Sequence, residues 1–176
     1  MARHLARQLN LQDRVSFEVG NALAMPFEDA QFDGAFSMNV SMNIEDKGAL
    51  YREAHRVLRP GAWLLLSELA LGDGGPIDYP TPWASRADES FLATPADTER
   101  GLAAAGFEVQ QRRSTAEESK AFAVRSRGSV ERGEKPPHRA LMLMYDELVA
   151  AAMANNVARA LAGGSIVPIE ILTRRR

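Results

Sequence analysis

The sequence predicts an α/β fold built on a parallel sheet, and three observations support that prediction. Two largely apolar segments, Phe32–Met38 and Ala62–Leu69, have the length and composition of buried strands. The segment between them, Glu45–Leu58, carries its apolar residues at helical spacing. A strand, a helix and a second strand in this order form a right-handed crossover between parallel neighbours.

Composition narrows the class of protein. The chain has 176 residues, of which 45% are apolar and 25% are charged, so it can form one domain with a real core. A net charge of -2 argues against a surface for nucleic acid or a membrane, and residues 1–14 lack the apolar stretch expected of a secretory signal. With no cysteine, disulfides, thiolate metal sites and a cysteine nucleophile are excluded. We therefore expect a cytoplasmic protein whose partner is a small molecule.

Three elements are predicted before the crossover helix. The basic residues 1–14 indicate a helix with Leu5 and Leu9 on one side. Val15–Val19 alternates apolar and polar residues, which predicts a strand, and Asn21–Pro26 has the composition of a turn. The next strand, Phe32–Met38, is largely apolar and is therefore expected to be covered on both faces.

A long polar loop follows the second strand of the crossover. Arg59-Pro60-Gly61 is expected to end the helix, and Gly72–Ser90 is rich in proline and glycine. Loops of this length in compact domains are usually functional or disordered. Tyr79 and Trp83 in this loop favour a functional one.

The carboxyl-terminal part predicts an antiparallel edge for the sheet. Thr94 and Pro95 are typical of a helix start, and Gly106 of a helix end. Phe107–Gln111 is predicted to pair with the last strand. The remaining elements are a helix from Ser114 to about Ala123, a linker over 126–137, a helix over Arg139–Ala162, a strand over Ile166–Leu172 and a solvated arginine tail, Arg174–Arg176.

The segment Val15–Glu68 carries a family resemblance. Three motifs occur in it: GNALAMPF after a first strand, SMNV after a second and LRPG before a third. Together they resemble the second half of a class I S-adenosylmethionine-dependent methyltransferase, in particular of the methyltransferase type 11 domain. The resemblance implies S-adenosylmethionine as cofactor and a Rossmann-like sheet with helices on both faces. In that family two strands and a glycine-rich loop come first, so they are expected to precede Met1. The chain is thus expected to be a partial domain over 1–176 that lacks the first two strands.

Further segments resemble the sarcosine and dimethylglycine N-methyltransferases. They are SMNIEDK at 41–47, YPTPWA at 79–84, SFLATP at 90–95 and GSIVPIE at 164–170. The resemblance implies a small amine as methyl acceptor, and it makes residues 72–90 the loop on the acceptor side. A sulfonium methyl group is transferred by direct displacement, so no catalytic side chain is assigned.

The same resemblance implies four cofactor contacts. Asn21 and Ala22 follow the first strand, where the side chain and the next N–H would meet the adenine ring. Asn39 and Val40 end the next strand, beside the methionine part of the cofactor. The alternative is that both asparagines only form turns. Glu68, at the end of a further strand, either faces the cleft or is an exposed loop acid.

Three residues are predicted to contact the acceptor: Asn43, Tyr79 and Trp83. An amine that gains methyl groups ends, when fully methylated, as a cation without N–H groups, and aromatic faces bind such cations well. The alternative for Trp83 is that it anchors the loop on the core. No histidine pair has the spacing of metal ligands, so no metal site is predicted.

Three functions stay open at this point. The first is an amine-directed methyltransferase that needs an upstream segment. The second is a non-catalytic remnant that does not bind the cofactor, and the third is a methyltransferase acting on a phenol or a quinone-like ring. Strand edges without partners would promote association, so a homo-oligomer is a further expectation.

Overall fold

The computed structural model describes residues 2–134 and 144–176. The helices in that part are α1 (Ala2–Gln8), α2 (Lys47–Val57), α3 (Pro95–Ala104), α4 (Ala116–Glu131) and α5 (Glu147–Ala162). The strands are β1 (Phe32–Met38), β2 (Leu58–Leu71), β3 (Phe107–Ser114) and β4 (Ile166–Arg175). Short 3-10 helices occur at Ser41–Asn43 and Ala87–Glu89.

The four strands form one mixed sheet in the order β1-β2-β4-β3. β1 and β2 are parallel and are joined through α2, as the crossover pattern predicts. β4 is antiparallel to both of its neighbours, β2 and β3. The predicted α/β class and the predicted antiparallel edge are both confirmed.

One face of the sheet carries the core, because α2 and α3 supply its apolar cover. Tyr51 of α2 and Leu102 of α3 are almost completely buried, together with Leu66 of β2 and Ile171 of β4. A side chain caps the start of each helix. Asp46 accepts from the Ala49 N–H of α2, and Thr94 accepts from the Asp97 N–H of α3. Local capping signals in the sequence therefore fix where these covering helices start.

β2 begins earlier than the sequence predicts. Leu58 is already extended, so Arg59-Pro60-Gly61 lies within the strand instead of between helix and strand. Gly61 has a φ of 77°, and the register against β1 shifts between Phe32 and Gly34. The Pro-Gly pair thus makes an irregularity in a long strand, since proline donates no hydrogen bond to its neighbour.

The long loop after β2 is tied to the start of β4 by glycines. Gly72 donates to the Ser165 carbonyl at 2.9 Å, and Gly74 donates to the Gly164 carbonyl at 3.1 Å. A Cβ atom on Gly74 would lie 1.9 Å from the Gly163 carbonyl oxygen, so only glycine allows this approach. Further along, the Asn156 side chain of α5 donates to the Pro80 carbonyl at 2.9 Å.

The predicted strand at Val15–Val19 is wrong, because the structure has no regular element there. Val19 is 98% exposed. Alternation alone does not make a strand, since extended backbone also needs a neighbour to receive its hydrogen bonds. Among the described residues, no strand lies beside this segment.

The second face of the sheet is covered unevenly. Near the start of β4, which α4 and α5 contact, Ile166 and Pro168 are buried. Over β1, Phe36 is 68% exposed and Met38 is 61% exposed. The expectation that β1 is covered on both faces is therefore wrong.

Three carboxyl-terminal boundaries also differ from the prediction. α4 continues to Glu131, so residues 126–131 are helical rather than part of a linker, and 135–137 lie outside the described residues. One glycine in a helix costs only about 1 kcal/mol, which α4 tolerates. α5 begins at Glu147 because Asp146 caps it, while 139–143 lie outside the described part. Arg175 belongs to β4 and donates to the Leu58 carbonyl, so this part of the tail is not simply solvated.

Replacing Leu102 with alanine tests the core. Because Leu102 is fully buried, we expect Leu102→Ala to lower the free energy of unfolding by about 3 kcal/mol. The matched control is Leu148→Ala in α5, where the side chain is 84% exposed and a change within about 0.5 kcal/mol is expected. Urea titration followed by circular dichroism measures both, and equal effects would contradict the assigned core.

Candidate functional site

The candidate site lies where β1 and β2 end. Their parallel pairing brings both carboxyl ends to one edge of the sheet, which is the usual place for ligands in open α/β sheets. At this edge Asn39 leaves β1 with a φ of 53°, a left-handed conformation that asparagine tolerates better than most residues. Its N–H donates to the Ser67 carbonyl at 2.9 Å, so the bend is fixed against β2.

The turn after Asn39 presents two more of the predicted contacts. Val40 is 37% exposed and precedes the short 3-10 helix. The Asn43 side chain donates to the Val40 carbonyl at 3.3 Å and is exposed. The structure thus brings Asn39, Val40 and Asn43 together on one turn.

Asn21 lies in a tight turn, not at the end of a strand. Its side-chain oxygen accepts from the Leu23 N–H at 2.9 Å, and an isolated bridge joins it to Ala24. This is the geometry of the turn alternative. Ala22 is partly buried against the apolar core. The contact of both residues with adenine stays a prediction.

A surface cavity of about 530 Å³ connects these segments. It is lined by Leu23, Asn43, Ile44, Glu45, Asp46 and Phe91. Phe91 is held there because its N–H donates to the Met42 carbonyl at 3.0 Å. The turn after Asn21, the turn after β1 and the end of the long loop therefore surround one space.

Trp83 acts first as an anchor of its own loop. Its indole Nε1 donates to the Ser90 hydroxyl at 2.9 Å, and the ring is partly buried. Tyr79 is also partly buried, and neither ring lines the cavity. The aromatic residue that does line it, Phe91, was not singled out from the sequence. The sequence feature that could have identified Phe91 is the segment SFLATP, which links the Trp83 loop to α3.

A polar cluster of Glu68, Lys47 and Tyr51 lies at the same end of the sheet, and none of the three lines the cavity. Glu68 is only 4% exposed, so the alternative of an exposed loop acid is wrong. Burial lowers the pKa of the Lys47 ammonium, and the Glu68 carboxylate acts in the opposite direction. Burial also raises the pKa of Tyr51 to about 12, so this phenol is neutral at physiological pH.

In the described ranges 2–134 and 144–176, no group of three or more histidine, aspartate or glutamate side chains is arranged to hold a metal ion. Within the same ranges, every helix is too short or too polar to cross a bilayer.

Sequence comparison supports a methyltransferase. Residues 1–66 match the family model described as a methyltransferase domain. A methyltransferase from Streptomyces halstedii, GfsG, is 34% identical over 71 residues, which are 40% of this chain and 26% of that protein. The O-methyltransferase resE of Aspergillus sclerotiorum is 38% identical over 58 residues, or 33% of this chain and 22% of that protein. The chain thus spans about a quarter of the length of these relatives.

Solved structures extend the likeness to nearly the whole fold. A candidate sarcosine dimethylglycine methyltransferase from Galdieria sulphuraria superposes with a TM-score of 0.75 at 17% identity. The match covers 98% of this chain and 64% of that one. A geranyl diphosphate methyltransferase in complex with S-adenosylmethionine gives a TM-score of 0.68 at 18% identity, covering 99% and 63%. Residues 1–66 are therefore similar to a methyltransferase domain, and the fold shared with solved methyltransferases extends over nearly the whole chain.

Proposed function

We propose that this chain is part of an enzyme that transfers a methyl group from S-adenosylmethionine to a small amine, of the class of sarcosine or dimethylglycine. The observation that carries the proposal is the cavity beside the turn that follows β1, with Asn43 and Phe91 in its wall. The match of residues 1–66 to a methyltransferase domain supports the reaction class. A cytoplasmic location belongs to the same proposal.

Four residues are proposed to hold the cofactor. Asn21 has its side-chain oxygen in a turn, and that oxygen has a second lone pair for the adenine amino group. Ala22 would offer its N–H to the ring, while Asn39 and Val40 lie at the end of β1 beside the methionine part. The cofactor supplies the activated methyl group, and the protein supplies orientation and exclusion of water.

The wall of the cavity favours a cationic product. Two acidic residues, Glu45 and Asp46, and the aromatic residue Phe91 line the cavity, and Asp46 Oδ1 also accepts from the Ala49 N–H. A methylated ammonium is stabilised both by negative charge and by a ring face. Asn43, Tyr79 and Trp83 stay proposed acceptor contacts, and the cavity adds Phe91 to them.

A phenol or quinone-like acceptor is the second candidate. It is favoured by the relative resE, which is an O-methyltransferase and shares 38% identity with part of this chain. Such an acceptor would gain no charge on methylation. The aromatic ring and the carboxylates would then be of little use to the product, which is why the amine is preferred here.

Activity is proposed to require polypeptide beyond residues 1–176. The open part of the sheet, defined by Phe36, Met38 and Trp63, exposes apolar side chains of two neighbouring strands. Within the described residues β1 pairs only with β2, so its outer edge offers unpaired backbone groups. In the two solved neighbours described above, about a third of the chain lies outside the part that this chain matches. Alternatively, a second copy of the chain pairs with this edge of β1. The alternative to an enzyme is a non-catalytic remnant that does not bind the cofactor.

Threonine at two positions of the open sheet tests whether this surface is free to associate. We expect Phe36→Thr combined with Met38→Thr to lower the fluorescence of a bound apolar dye by roughly half and to reduce light scattering of the isolated chain. The unfolding midpoint should change little, because both side chains are exposed.

The control for that pair is Val19→Thr, which removes an exposed apolar side chain outside the sheet. It should leave both readings at the wild-type level. Unchanged dye binding in the double variant would contradict an associating surface on β1.

Leucine at position 91 tests the acceptor class. In the active protein, Phe91→Leu keeps an apolar side chain and removes the ring, so we expect the KM for dimethylglycine to rise about threefold to tenfold with little change for a phenol. The readout is transfer of a radiolabelled methyl group, and Trp83→Leu is assayed beside it. Methylation of the phenol but of neither amine would contradict the proposed acceptor. An unchanged KM for dimethylglycine in both variants would contradict the proposed aromatic contact with the acceptor.

A further inference from the structure

The turn after β1 contains two N–H groups that its own segment cannot satisfy. The first N–H groups of any helix have no acceptor inside that helix. In the 3-10 helix Ser41–Asn43, the residue that would cap them is Val40, whose side chain has no acceptor and makes no capping hydrogen bond. The required acceptor must therefore come from elsewhere in the fold.

Glu68 of β2 supplies that acceptor. One carboxylate oxygen accepts from the Val40 N–H at 3.4 Å, and the other accepts from the Ser41 N–H at 3.2 Å. The first oxygen also accepts from the Ser37 hydroxyl of β1 at 2.9 Å. One side chain thus joins the end of β1, the turn and β2.

Glu68 occupies a position where an apolar residue would otherwise be usual. Its neighbours on the same face of β2, Leu66 and Ala70, are core residues, and its partner in β4 is the buried Ile169. Burying a carboxylate is costly, and it becomes tolerable only when hydrogen bonds satisfy it. An apolar side chain here would avoid that cost but would leave two N–H groups of the turn unpaired.

Lys47 fastens the other side of the same turn. Its ammonium donates to the Ser41 carbonyl and to the Ile44 carbonyl, both at 2.8 Å. The turn is therefore held through its N–H groups by a buried anion and through its carbonyl groups by a cation. Charged partners make these hydrogen bonds stronger than ordinary ones.

We propose that Glu68 is a positioning residue that fixes the shape of the turn Asn39–Ile44 and, through it, the proposed contacts to cofactor and acceptor. Asn39, Val40 and Asn43 all lie on this turn, and none of them is bonded to the core through its own side chain. The claim about the turn stands on the contacts of Glu68. The claim about ligands rests on the proposed function.

Glu68→Gln is the variant that separates positioning from bulk stability. Glutamine has the same size, but one of its two terminal atoms becomes an N–H donor that faces a backbone N–H. We expect amide hydrogen exchange at Val40 and Ser41, followed by NMR, to accelerate about tenfold or more. We also expect the affinity for S-adenosylhomocysteine, measured by calorimetry on the active protein, to fall about fivefold or more.

Two controls isolate the effect. Ser37→Ala removes one hydrogen bond of Glu68 and leaves both backbone contacts, so exchange at Val40 and Ser41 and the affinity should stay near wild type. Leu102→Ala weakens the core without removing any hydrogen bond of the turn, so it should lower overall stability and change the affinity little.

Wild-type exchange rates at both amides in Glu68→Gln would overturn the proposal. Faster exchange with unchanged affinity would overturn the link from the turn to the ligand. If the wild-type protein itself does not bind S-adenosylhomocysteine, the proposed function fails, while the exchange rates still decide the role of Glu68.

Discussion

The parallel pairing of β1 with β2 is the constraint on which the rest of the structure depends. It requires a crossover, which α2 supplies, and the apolar side of α2 then covers one face of the sheet. It also sets both strand ends at one edge, so that a carboxylate on β2 reaches the turn that follows β1. On the other face the Trp63 ring lies over Gly34, where any Cβ atom would collide with it. Core, turn and candidate site follow from this one pairing.

Features with a local cause were predictable from the sequence. β1 is predicted at its observed bounds because the segment is largely apolar, and α3 starts as predicted because Thr94 caps it and Pro95 follows. Features that depend on a distant partner were not. Val15–Val19 alternates like a strand, but no strand in residues 2–134 and 144–176 lies beside it. The start of α5 was missed for a local reason, because a helical pattern runs through Asp146 while its side chain caps the helix at the Val149 N–H.

The candidate site shows the same division. The sequence places Asn39 and Val40 at the end of a strand and Asn43 shortly after it, and in the structure the three lie on one turn. Burial of Glu68 could not be predicted, because two N–H groups of a remote turn are what make a buried carboxylate acceptable. The position of Phe91 depends likewise on a hydrogen bond to Met42.

The central claim is that the edge of β1 and β2 is part of an S-adenosylmethionine site. Titration of the isotopically labelled chain with S-adenosylhomocysteine, followed by amide NMR, tests it most directly. The account predicts weak binding, with a dissociation constant of about 0.1 mM or more, and shifts concentrated at Asn21, Ala22, Asn39 and Val40. Shifts confined to β3 and α4, or no shifts at millimolar ligand, would contradict it.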